Sequence, residues 1–161
     1  MASVSGLSWA KRKWARRLAV VAARLGVQHE PSISYSQFQT QRWEGIARRL
    51  KAYRGEYPRH ADCSSFTTWC LWNGLSHWGV RDTVNGTNWQ WGFTGTQRQH
   101  GKPVKYRVNW RSGDLVHYGS GPTAHVAIYV GRGNVVSHGS EGGPMVLKAA
   151  YRPIVEVRRH I

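Results

Sequence analysis

The stretch GDLVHYGSGPTAHVAIYVGRGNVVSH, residues 113–138, decides the architecture. Residues 114–118, 125–130 and 135–138 are short runs rich in β-branched and aromatic side chains, parted by glycine-rich turns. That is the pattern of antiparallel strands. The turn at residues 131–134 closes the last two runs into a hairpin. An even loop pairs Val130 with Val135, Ala127 with His138 and His125 with Ser140. His125, Ala127, Tyr129, Val136 and His138 then share one face, opposite Val126, Ile128, Val130 and Val135. A one-residue bulge in the turn would carry His138 to the other face. Residues 151–158 alternate and supply a last strand.

Upstream the chain reads as helices. In residues 7–25, Leu7, Trp14, Leu18, Val21, Ala22 and Leu25 fall at helical spacing among Lys11, Arg12, Arg16, Arg17 and Arg24. This is a basic amphipathic helix stopped by Gly26. It is expected to pack on the domain with a solvated basic face; the alternative is an anchor to membrane or wall. A linker with Pro31 follows, then a helix over residues 36–53 with Phe38, Trp43, Ile46, Ala47 and Leu50 inward. Asp62 starts a third helix by accepting from the amide of Ser65, and Asn73-Gly74 ends it. Residues 79–110 form a long irregular stretch. Its Trp89, Trp91 and Phe93 either order a loop near a site or cap the core. Helices followed by an antiparallel sheet define an α+β fold. The organisation expected is a basic helix and linker over residues 1–34 and one catalytic domain over residues 35–161.

The chain has 161 residues, 40% of them hydrophobic, which excludes wholesale disorder. Lys and Arg number 23 against 8 acids, a net charge of +15. Such a surface seeks an anionic polymer or lipid, and no feature singles out nucleic acid. No run of about 18 apolar residues exists to cross a membrane. The N-terminus lacks a signal-peptide cleavage pattern, so residence in a cytoplasm is expected. Cys63 and Cys70 on one helix lie about 10 Å apart, beyond disulfide reach, and read as free thiols.

Cys63 falls at the first turn of the third helix, where free amides and the helix dipole favour a thiolate. A cationic partner is required because Asp62 opposes this, and the hairpin histidines His125 and His138 supply it. A zinc site of Cys63, His125 and His138 lacks the usual close-pair spacing, so no metal and no cofactor is expected. A glycosidase would draw on Glu44, Glu56 and Glu141, none in a recognisable pair. A non-catalytic module binding wall or nucleic acid would need none of the Cys/His set.

ADCSSF (61–66), RSGDLVHY (111–118), AHVAIYVG (124–131) and VVSH (135–138) together resemble the motifs of NlpC/P60 cysteine peptidases. His125 follows Cys63 by 62 positions and precedes His138 by 13. Segments RWEGI (42–46), FTGT (93–96) and SHGSEGGP (137–144) further resemble cell-wall peptidase domains of actinobacterial phage endolysins. The resemblance implies a papain-like fold in a monomer that cuts peptidoglycan stem peptides, often between γ-D-glutamate and a diamino acid. N-acetylmuramoyl-L-alanine amide cleavage by the same residues is the alternative. It implies Cys63 as nucleophile, His125 as general base and His138 as the residue orienting it. Asp62, Ser64 and an upstream tyrosine, Tyr53 rather than Tyr57, would contact the stem peptide, with Trp89 and Trp91 nearby. Such an enzyme stays in the host cytoplasm until released to an anionic wall. Ser65 stands where the family usually has Gly, and His117 where Phe is usual.

Overall fold

The computed structural model describes residues 2–140 and 142–161. Helix α1 (Trp9–Gln28) leads, followed by β1 (Ser34–Tyr35), the one-turn helices α2 (Gln39–Arg42) and α3 (Glu44–Ala47), and β2 (His60–Ala61). Helix α4 (Cys63–Leu75) comes next, then α5 (Thr94–Gln99) and β3 (Lys102–Pro103). The chain closes with β4 (Leu115–Tyr118), β5 (His125–Gly131), β6 (Asn134–Gly139), β7 (Gly142–Lys148) and β8 (Ile154–Arg159). β1 and β2 pair in parallel, and the other six strands form one sheet in the order β3-β8-β4-β5-β6-β7. Its pairings are all antiparallel. The fold is α+β, as the order of elements predicts.

Helix α4 is buried along its whole length. One side meets the sheet through Leu115, Val126, Ile128 and Val136, and the other meets α1. Ala15, Ala19, Ala22, Ala23 and Gly26 form the buried stripe of α1. This corrects the face expected from the large apolar residues, since Trp14 and Val21 stay exposed. The reason is distance. A Cβ on Gly74 would stand 2.2 Å from the Ala15 carbonyl oxygen, so the two helices touch backbone to backbone and admit only small residues. Gly74 therefore sits inside α4 rather than capping it, and left-handed Gly79 stops the chain after one further 3-10 turn.

The helix expected over residues 36–53 is broken into α2, α3 and a 3-10 turn at Ala52–Arg54, with Phe38 exposed. Arg49, at φ 54°, bars a continuous helix. The opposite sheet face carries a second cluster, with Val116, Tyr118, Ala127, Val135 and Val157.

Candidate active site

The hairpin departs from the even register. Tyr129 pairs with Val135 and Ala127 with Ser137, while Gly131 pairs with Asn134. Val130 is thus an extra residue on β5, a bulge next to left-handed Gly131, Arg132 and Gly133. The slip moves Ser137, not His138, onto the face of His125 and Ala127. The Ser137 hydroxyl lies 2.8 Å from His125 Nε2 and 3.1 Å from the Tyr151 hydroxyl. Tyr118 stands opposite His125 on β4, and its ring tilts over the imidazole at 6.0 Å.

His138 goes to the α4 side of the sheet. Its ring is buried, 5.5 Å from Phe66 and edge-on to Tyr35 at 5.7 Å. The expected side-by-side pair of histidines is not formed, because the bulge puts the two rings on opposite faces. Ser137 and Tyr151 are the partners that sequence reasoning missed.

Cys63 opens α4 as the tight packing of its cap dictates. Asp62 accepts from the Ser65 amide at 2.7 Å, and the Ser65 hydroxyl accepts from the Asp62 amide at 2.9 Å. This reciprocal capping box accounts for Ser65 where a glycine is usual, since glycine has no oxygen to offer. The thiol is buried. Burial pushes it up to about 11, and the Asp62 charge acts in the same direction. The Val126 amide, the Thr94 hydroxyl at 4.0 Å and the Ser64 amide pull it down. The helix start alone therefore does not hold a thiolate, and a base must take the proton. The Val126 contact sets the sulfur against the backbone at the start of β5, one residue after His125 in the chain. Cys70, two turns on, is fully buried, and burial pushes its thiol well above the ordinary range; both cysteines are free.

Asp62 and Ser64, assigned by resemblance to the substrate, are both engaged by Arg42. One guanidinium nitrogen lies 2.8 Å from the Asp62 carboxylate and 3.2 Å from the Ser64 hydroxyl; the other donates to the Gly92 carbonyl at 3.0 Å. Arg42 and Asp62 are each only 9% exposed at the side chain, so this is a buried pair. Tyr53 projects outward, half exposed beneath Arg54. Tyr57 packs in the core, stacked on His29 at 4.2 Å. Upstream of Cys63, Tyr35 on β1 meets the hairpin at His138. Trp89 is buried, with its ring nitrogen on the Val80 carbonyl, and Trp91 is 51% exposed.

Among the described residues no three His, Cys, Asp or Glu side chains converge as a metal site, and no helix is long and apolar enough to cross a membrane. Glu141, named above as a candidate carboxylate, lies outside the described residues.

A family model for the NlpC/P60 family matches residues 51–158. The fold is similar to NlpC2 from Trichomonas vaginalis, with a TM-score of 0.63 and 14% identity, covering 99% of this chain and 50% of that one. It is similar to the peptidoglycan hydrolase RipB from Mycobacterium tuberculosis, at 0.63 and 20%, covering 98% and 70%. A third likeness is the P60 domain of antigen MAP1204 from M. avium subspecies paratuberculosis, at 0.60 and 22%, covering 94% and 98%. The chain thus spans only half the length of the Trichomonas protein. A comparison with curated proteins finds no match.

Proposed function

Because the chain belongs to the NlpC/P60 family, we propose that it is a peptidoglycan hydrolase that opens stem-peptide bonds through Cys63 and His125. The observation that carries this reading is the junction of α4 and β5. A cysteine at a helix start lies against the first residues of the strand whose histidine has one ring nitrogen already held. A hydrolase of this kind among the structural likenesses, RipB, supports it.

Nε2 of His125 is committed to Ser137, so Nδ1 is the atom that takes the thiol proton. The Cys63 sulfur adds to the scissile carbonyl as its proton passes to Nδ1. The Cys63 backbone amide, one of the unpaired donors at the start of α4, steadies the oxyanion. The imidazolium then gives its proton to the leaving amine as the C–N bond breaks. Water, deprotonated by the same nitrogen, releases the thioester. Ser137, in contact with Tyr151, keeps the ring oriented throughout; in this reading it takes the place that the sequence assigned to His138.

The bond favoured is γ-D-glutamyl–diamino acid, in walls reached when the protein leaves the cytoplasm in the manner of an endolysin. The +15 charge suits adhesion to an anionic wall. Mass spectrometry of digested peptidoglycan tests the reading: endopeptidase action frees a D-glutamyl carboxyl, whereas an amidase frees a lactyl group. Cys63→Ala should abolish both signals and leave the fold intact. Retention of more than about a hundredth of the wild-type rate would remove Cys63 from the chemistry.

A further inference from the structure

A cavity of about 710 Å³ opens on the α3 side of α4, with Trp43, Lys51, Trp72, Asn88, Gln90 and Trp91 in its wall. Its loop is held in an unusual shape. Asn88, Trp89 and Trp91 have φ of 56°, 66° and 52°, a region that side chains rarely enter. The buried Asp82 carboxylate holds the loop, accepting from the amides of Val84, Asn85, Thr87 and Trp89. Strain maintained this way points to function. Its effect is to bury Trp89 while turning Trp91 out, half exposed, on the cavity rim.

The polar groups of the wall are cationic or neutral. Lys51 lies 3.8 Å over the Trp72 ring and donates to Ser76; its ammonium forms no ion pair among the described residues, while its backbone amide donates to the Glu56 carboxylate at 2.9 Å. Arg49 joins it in the wall, no acid does, and the amides of Asn88 and Gln90 complete the set. The cavity is also tied to the nucleophile. Arg42, which grips Asp62 and Ser64 on either side of Cys63, holds the loop through Gly92 and stacks 5.3 Å from the Trp43 ring that lines the cavity.

An exposed indole face takes the C–H face of a pyranose, while amides and an ammonium take hydroxyl and acetamido oxygens. We propose that this cavity binds an N-acetylated pyranose of the glycan strand from which the stem peptide hangs. The inference rests on the hydrolase reading above for what the sugar carries. Trp72 in the wall lies nine residues along α4 from Cys63, about 14 Å, a span that two extended residues, about 7 Å, cover together with the sugar ring and its linker.

The test titrates the full chain with tri-N-acetylchitotriose, following the indole N–H signals by NMR. Saturable shifts centred on Trp91 are expected, weakened at least tenfold in Trp91→Ala and largely kept in Trp91→Tyr. In turnover, Trp91→Ala should raise KM for sugar-linked stem peptide at least ten times more than for the same peptide without sugar. Absence of a saturable shift in the wild type, or equal loss on both substrates, overturns the proposal. If the wild type cleaves neither substrate the hydrolase reading fails, and the titration by itself still decides the cavity.

Discussion

Ser137→Ala removes the oxygen that lies 2.8 Å from His125 Nε2. Ser137 is fully buried, and alanine occupies the same space less one atom, so packing is kept. A neutral hydrogen bond contributes about 1 kcal/mol net, while one to a charged group contributes about 1.5–3 kcal/mol. The imidazole is neutral before attack and charged once it holds the thiol proton, so the loss falls mainly on the transition state. The difference, about 0.5–2 kcal/mol, at about 1.4 kcal/mol per decade gives a roughly 2- to 30-fold drop in kcat on a soluble stem peptide. The ground-state share is about 1 kcal/mol, a change of roughly 2–4 °C in Tm. Ser137→Thr keeps the hydroxyl and should recover most of the rate. His138→Asn alters a ring packed between Phe66 and Tyr35 and should lower Tm more than it lowers kcat. Turnover and thermal unfolding measured on the same preparations separate the two. Full activity in Ser137→Ala together with a hundredfold loss in a stable His138→Asn would refute the register argument.

Arg42→Ala leaves the buried Asp62 carboxylate without a counter-charge, held only by the Ser65 amide and the Ser64 hydroxyl. A stability loss of about 3–5 kcal/mol is expected, with the pH profile of Cys63 alkylation by iodoacetamide displaced upward because the bare carboxylate opposes the thiolate. Asp62→Asn in the same chain should undo that displacement, and an unmoved profile in Arg42→Ala would count against the coupling. His117 and His160 are held down to about 3 and about 4 by burial. Their unfolded forms take up protons below about 6.5 while the native forms do not, so stability is full above that pH and falls as pH drops toward 4. Urea titrations at pH 7 and 4.5 should differ by several kcal/mol, and His117→Phe, which removes two ring nitrogens lacking partners among the described residues, should stabilise the fold and shrink the difference. Deleting residues 2–28 uncovers the α1 side of α4 and should abolish cooperative unfolding; a truncated chain with wild-type Tm would show that α1 is dispensable to the core.

The start of α4 and the hairpin strands were legible because capping and alternation are local. Asp62 and Ser65 identify the cap by chemistry alone. The buried face of α1 was not legible, since the rule that large apolar side chains turn inward fails where helices meet at backbone distance. Gly74, which makes that distance possible, lies far along the chain. Strand β7 escaped notice because it begins Gly-Gly-Pro, a turn signature, and gains its pairing only from β6. The same limit hid Arg42, whose ties to Asp62, Ser64 and Gly92 cross long stretches of chain. For the site, Cys63 and His125 were named by type and position. The face of His138 was misplaced because Val135-Val136 carries the same residue at both positions, so hydrophobic pattern cannot report which register is adopted.

That repetition has a historical meaning. In β6 two valines are followed by two polar residues, Ser137 and His138, so the strand reads acceptably on either of its faces. Closing the bulge with Val130 kept, so that it pairs with Val135, would exchange one valine for the other in the core and present an imidazole to His125 instead of a hydroxyl. A descendant could thus change the group beside His125 through the turn alone, with no substitution at either strand position. The hairpin stores a ready-made alternative, and substitutions that unseat the left-handed run at residues 131–133 are the mutations through which lineages of this fold would try it.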